Sequence, residues 1–497
     1  MNAFLPTDSC VTGAGWRVSR RVALLIGLCV LSLGLGRASA AEKQMRVGAA
    51  IADITPRKFP VPMSGSMTPR WATQAHDPLS ARCMVVEDGA TRIAFCVIDA
   101  CALTLEIIEA AKEQASKLTG IPTERICMSA THTHTGVSVG IGFQTPSADD
   151  EYIAFLVKQI ANGIKQASDR LEPAQIGWGY VDEPRHVGNR RWLFKPGATF
   201  VNPFGSDQDR ARMNPSPGGA DMEKPAGPTD PQVWILAARS PAGKPIAVLA
   251  NYSLHYVGGM PPNGLSADYF AAFSNVLGRL LKSYETNPAF VAMMSNGTSG
   301  DVNNGDFFRK VQPRYAPYEK IYLVANDIAA AAHKAYQQIK WQDYAPIAMA
   351  QRSLELTARK PDAAEVERAK KLLATAKRLP DGSVYLQPDV YANETVNMVD
   401  FPAKVSAKLQ AIRIGDLAIT AIPCEVFVEI GLEIRSRSPI KSLFTIELAN
   451  GYNGYLPTAA QHKLGGYETW RARSAYLAAD SAAKITDTLV DLLHKVK

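Results

Sequence analysis

Residues 125–136 read Arg-Ile-Cys-Met-Ser-Ala-Thr-His-Thr-His-Thr-Gly, an apolar run that closes on two histidines and a glycine. A short apolar run bounded by turn signals suits a buried strand, so a strand is expected near 125–130, giving way to a loop. Upstream, 84–86 and 93–98 flank Asp88-Gly89 and predict a hairpin, and a helix follows from about 103 to 118 with Gly120 placed to end it. Downstream, a second amphipathic helix spans about 150–171. Strands are expected at 233–238, 246–253, 290–295, 408–414, 417–422 and 443–448, with helices near 268–282, 318–339 and 478–496. This interleaving predicts the α/β class, a layered catalytic domain of mixed sheets with helices packed on them.

Two stretches interrupt the pattern. Residues 193–230 are rich in Pro, Gly and Asn and read as an irregular loop flanking a site. Asp362-Ala-Ala-Glu365 has capping-box spacing and opens a charged helix to about 378, expected to be a solvated insertion.

The 497 residues, 46% hydrophobic with 54 Lys plus Arg against 47 Asp plus Glu, exclude a disordered or collagen-like chain. Arg20 and Arg21 precede an apolar stretch at 22–35 and the small-x-small site Ala38-Ser39-Ala40. Residues 1–40 therefore read as a cleaved signal peptide, too short in its apolar part for a stable transmembrane anchor; length gives 41–497 room for two to four domains or for a single catalytic domain, and the single domain is the organisation expected. The expected location is the periplasm or the medium. Removing the leader takes four Arg and one Asp and lowers the net charge from +7 to +4, too mild and dispersed for a nucleic-acid partner. Of seven cysteines, Cys10 and Cys29 leave with the leader. Cys83, Cys96, Cys101, Cys127 and Cys424 form no CxxC pair and read as buried small hydrophobes, with room for one disulfide at most in sequence terms.

His132 and His134 stand out among the eight histidines. They end a β-branched, strand-like run, and alternate residues of a strand point to one side, so two imidazoles converge where the strand gives way to a loop. His255 closes another strand-like run before Gly258-Gly259, and Asn296 to Gly305 is a Gly, Asn and Asp cluster after a third. Glu425 follows the apolar run 419–424, and Tyr452 and Tyr455 follow Asn450-Gly451. Several strands thus deliver polar residues to what reads as one sheet edge, where α/β proteins place their sites. Two histidines and a carboxylate make a reasonable catalytic zinc set, because zinc takes neutral imidazole and carboxylate ligands.

With these strings the chain resembles the neutral/alkaline non-lysosomal ceramidase family. The resemblance runs over about 46–480, through residues 47–56 (VGAAIADITP), 129–134 (SATHTH), the His255 strand end, 300–302 (GDV), 423–425 (PCE) and 450–455 (NGYNGY). It implies a zinc amidohydrolase with His132, His255, Glu425 and Tyr455 as ligands of one zinc ion. It also makes His134 the second active-site histidine, Arg190 a substrate-contacting arginine and Tyr452 a neighbour of the metal. In the resemblance Asn303 takes the place of the family's active-site serine, and the chain ends 42 residues after Tyr455, short of the C-terminal β-sandwich domain expected of a ceramidase.

The function expected is hydrolysis of an amide bond in an N-acylated, lipid-like small molecule. Two alternatives stand beside it: zinc-dependent hydrolysis of an ester or a non-ceramide amide, and a metal-dependent surface binding protein without turnover.

Overall fold

Strands apolar on both faces build the first sheet. In the computed structural model, which describes residues 13, 43–283 and 290–497, these are β1 (Arg46–Asp53), β2 (Ser80–Glu87), β3 (Arg92–Ile98) and β4 (Ile126–Ala130). The sheet order is β4-β3-β2-β1, extended by Glu172–Pro173; β1, β2 and β3 pair antiparallel, and β3 and β4 parallel. The parallel pair needs a crossover, supplied by α1 (Leu105–Thr119). Thr104 caps α1 by accepting from the Ile107 N–H, and Gly120 closes it at φ 72°, a left-handed conformation that glycine adopts without steric cost. Together with α2 (Asp150–Asp169), α1 covers one face of the sheet, burying Ile108, Ala111, Ile160 and Ile164 against Ala50, Cys83, Val85 and Cys96.

The opposite face carries Val47, Ala49, Met84, Val86, Phe95 and Val97 into a central core shared by three sheets. The second sheet contains β5 (Gln175–Asp182), β6 (Gln232–Arg239), β7 (Pro245–Tyr252) and β8 (Val291–Asn296), in the order β8-β7-β6-β5 with β7 and β8 parallel. Its outer face packs on α3 (Asp268–Leu280) and α4 (Glu319–Gln338). In the third sheet, β9 (Ile347–Thr357), β10 (Lys404–Ile414), β11 (Leu417–Ala421) and β12 (Ser442–Ile446) run in sequence order with β11 and β12 parallel. Its outer face is covered by Val428–Arg437 and α5 (Ser481–Val496). Each sheet therefore shares the central core and wears helices outside, the mixed-sheet α/β arrangement expected from the sequence.

The differences are local. Strand β5 is absent from the sequence reading because Gly177 and Gly179 weaken its pattern; Gly177 is required, since a Cβ there would stand 2.2 Å from Ile339 Cγ2. Residues 193–230 are not wholly irregular: Ala211–Met213 and Met222–Pro225 flank Arg191–Phe194 in a small antiparallel sheet. The helix Ala363–Thr375 does carry the capping box and buries only Ala369. The expected leader, with Arg20, Arg21 and Ala38-Ser39-Ala40, lies outside the described residues. Among the described residues no helix is long and apolar enough to cross a membrane.

Candidate active site

In each of the three sheets the parallel strand pair ends toward the same place. Strand β4 leads to His132 and His134, β7 to His255, β8 to the loop 297–303, β11 to Glu425, and β12 to the loop carrying Tyr452 and Tyr455. The side chains meet in a cavity of about 240 Å³ lined by His132, His134, Arg190, His255, Glu425 and Tyr455, with Asn303 and Tyr452 also on its wall.

The two histidines of the THTHT run converge for a reason other than the one read from the sequence. β4 ends at Ala130, and His132 has φ 66°, so the strand does not continue through it. The turn is held by Thr131 N–H to Ile98 O and His132 N–H to Ala100 O, both at 2.9 Å. It is this left-handed residue, not strand alternation, that brings His132 Nε2 within 3.1 Å of His134 Nε2. A non-glycine residue held at positive φ stores strain, which the surrounding hydrogen bonds must offset.

Each imidazole is anchored through Nδ1 to a backbone carbonyl: His132 to Cys101 O at 2.7 Å, His134 to Gly65 O at 3.2 Å and His255 to Ser299 O at 3.1 Å. A proton on each Nδ1 leaves Nε2 to face the shared centre. There His132 Nε2 lies 3.0 Å from His255 Nε2 and 3.2 Å from Glu425 Oε2, and His255 Nε2 lies 3.8 Å from the same oxygen. Glu425 Oε2 is buried and receives no hydrogen bond, whereas Oε1 accepts from Tyr452 OH at 2.8 Å.

These facts supply a test of whether the residues suit zinc. Ligand atoms at the corners of a tetrahedral zinc site lie about 3.3 Å apart, given bonds of about 2.0 Å. The three separations among His132, His255 and Glu425 bracket that value, and the donors are the imidazole nitrogen and carboxylate oxygen that zinc prefers. The set fits.

Burial opposes charge on all three imidazoles. It holds His134 and His255 well below the usual histidine range, reinforced by His132 and by arginines. His132 is raised well above that range despite its burial, because Cys101 and Glu425 favour its charged form. Burial likewise would raise Glu425, yet His132, Tyr455 and Arg190 together keep it low. The cluster therefore favours positive charge beside Glu425, the environment a bound cation would meet there.

Arg190 is buried and held rather than free. Its Nε donates to Glu468 at 2.9 Å, Nη2 to Tyr455 OH at 3.1 Å, and its Nη1 stands 3.4 Å from His255 Nε2. Glu468 also accepts from Arg191 at 2.6 Å. Glu425 and Tyr455 are direct neighbours in a short parallel pair. Asn303 sits on the rim, half-buried, donating to Asn214 Oδ1 at 2.8 Å.

Several residues of the site have no place in the sequence reading. Tyr256 stacks on His134 at 3.8 Å between ring centroids, Arg70 donates to His134 O at 2.7 Å, and Tyr467 lines the cavity; Cys101, expected to be a buried small hydrophobe, is instead only half-buried and lines the cavity, because its backbone carbonyl anchors His132. Gly65 is a requirement of the same contact: at φ 85°, a Cβ there would fall 2.4 Å from His134 Cβ.

The model of the neutral/alkaline non-lysosomal ceramidase family, N-terminal part, matches residues 45–305. That span holds His132, His134, Arg190, His255 and Asn303 and ends before Glu425. Among solved structures, one described as a ceramidase complexed with C2 aligns with a TM-score of 0.67 at 17% identity, covering 91% of this chain and 75% of the other. The neutral ceramidase from Pseudomonas aeruginosa aligns with a TM-score of 0.65, also at 17% identity, covering 91% and 74%. At that identity the likeness is one of fold. No curated protein matches the sequence.

Proposed function

Because the chain belongs to the neutral/alkaline non-lysosomal ceramidase family, we propose that it is a zinc-dependent hydrolase of the amide bond in an N-acylated, lipid-like molecule. The observation that carries this reading is the convergence of His132 Nε2, His255 Nε2 and Glu425 Oε2, each at the end of a different sheet and each with its other polar atom already engaged. His132, His255, Glu425 and Tyr455 would hold one zinc ion. When bound, zinc supplies a Lewis acid and acidifies water near neutral pH.

The chain's own residues do the rest. His134, anchored through Nδ1, offers Nε2 as the acceptor that takes a proton from attacking water and returns it to the departing amine. Arg190, whose Nη2 also donates to Tyr455 OH, is a donor on the cavity wall, suited to the oxygen that gains charge as the amide carbon becomes tetrahedral. Glu468 keeps the Arg190 guanidinium in place, so little reorganisation accompanies that change. Tyr452 fixes the rotamer of Glu425, and Asn303 orients substrate at the rim.

Cavity size favours a second reading, hydrolysis of a non-ceramide amide or an ester. Its volume of about 240 Å³ is below the roughly 300–1,000 Å³ common for ligand pockets, which suits a compact group at the reacting centre. The location proposed is the periplasm or the medium, with a mature chain beginning at Ala41, and N-terminal sequencing of exported protein tests it.

Metal analysis of the purified chain should find about one zinc per chain, lost in His255→Ala. Mass spectrometry over a panel of N-acyl compounds and esters should find release of a free amine that ceases on zinc removal. Full zinc retention in both His132→Ala and Glu425→Ala would overturn the ligand assignment, and release of alcohols alone would select the ester reading.

A further inference from the structure

Glu447 is the first residue after β12, is fully buried and does not line the cavity. Its Oε2 accepts from Val426 N–H at 2.7 Å and from Ser299 N–H at 3.2 Å, and its Oε1 accepts from Ser299 Oγ. Its own N–H donates to Asn296 O at 3.1 Å. Both loops it grips end at the site. Ser299 presents the carbonyl that receives His255 Nδ1–H, and Val426 directly follows Glu425.

A buried carboxyl group is costly unless it is hydrogen-bonded, and this one finds its donors in two segments from different sheets. Cutting it would free both loops at once. The Ser299 carbonyl would lose its fixed direction, and with it the tautomer and tilt of the His255 ring; the backbone under Glu425 would lose a tether one residue away. Outer partners of this kind decide how well ligands are aimed.

We propose that Glu447 is a positioning residue that sets the orientation of His255 and Glu425 together. The inference rests on the zinc reading given above and adds to it a residue that touches neither metal ligand atoms nor substrate. It also explains why a glutamate occupies a dry position where an apolar residue would pack at lower cost.

The experiment compares the full-length wild-type chain with Glu447→Ala and Glu447→Gln. Zinc affinity is measured by competition with a chromophoric chelator, and the cobalt-substituted proteins are examined by visible absorption. Glu447→Ala should lose roughly 10 to 100-fold in zinc affinity and change the cobalt spectrum, as loss of a metal site's outer partner does. Glu447→Gln keeps an acceptor for Val426 N–H and should fall between the two. Circular dichroism of the metal-free proteins reports folding separately. A folded Glu447→Ala with wild-type zinc affinity and cobalt spectrum overturns the proposal. Should both variants fail to fold, Ser299→Ala, which keeps the carbonyl and loses only the Oγ bond, must show a smaller shift in the same direction, and an unshifted spectrum overturns it equally. A wild-type chain that takes up neither zinc nor cobalt overturns the zinc reading itself, and this assignment with it.

Discussion

His134 and Asn303 share a cavity but are held very differently. His134 is stacked on Tyr256 and bonded at Nδ1, whereas Asn303 stands on the rim with Asn214. Loss of a positioned proton carrier costs about 10² to 10⁴-fold, and loss of an orienting group near a metal about 10 to 100-fold. His134→Ala should therefore lower kcat/KM more than Asn303→Ala, with zinc content unchanged in both; the reverse order would remove His134 from the proton-transfer role. Gly65→Ala is expected to imitate His134→Ala, because its new methyl group would push into the His134 side chain. Near-wild-type turnover in that variant would show that the ring has room to move. At this scale the sequence was legible where chemistry leaves a local mark: a histidine pair, a histidine at a strand end, a glutamate after an apolar run. Arg70, Tyr256, Glu447 and Glu468 carry no such mark. They are common residue types, and only contacts between segments distant in sequence give them a role.

Helix α1 offers a test at the level of elements. Its apolar spacing and terminal glycine announce it in the sequence, yet the same pattern conceals Lys112, which is 1% exposed with Nζ unpartnered. Burial pushes this amine down to about 8, from an ordinary 10.5. Between those values the unfolded chain binds the proton more readily than the folded one, so stability rises with pH across the window and the full penalty applies below it. Lys112→Met should then stabilise the protein by on the order of 3 kcal/mol at pH 7, with the gain shrinking toward pH 10. Denaturant melts at the two values measure this, and a gain independent of pH would show that Lys112 keeps its charge at no cost. The elements that escaped the sequence reading share a physical cause. β5 is diluted by two glycines, one of which, Gly177, is required by the close approach of Ile339, and the short strands around Arg191–Phe194 owe their pairing to each other rather than to any propensity of their own.

For the whole molecule, the decisive fact is that the candidate ligands come from all three sheets. Any ion bound by native protein alone adds RT ln(1 + [L]/Kd) to stability, about 4 kcal/mol at a free concentration one thousand times Kd. Chelation should lower the melting temperature of the wild-type chain and added zinc should restore it, while His255→Ala should respond to neither. A chelator-insensitive wild type would mean that no ion links the sheets. The layered α/β class was visible in the alternation of patterns along the chain, but the meeting of three sheets on one core was not, because periodicity reports which face of a strand is apolar and not what covers it.

The left-to-right order of synthesis gives this arrangement another meaning. His132 and Glu425 are 293 residues apart, so a growing chain displays its histidines long before the carboxylate exists. Contacts of such separation form late, after many loops have closed. An unfinished or severed polypeptide would hold imidazoles but no complete cradle, and would release an ion that the finished one keeps. On the zinc reading proposed above, tight metal retention would become a certificate of completion, issued only when the last of the three sheets has docked.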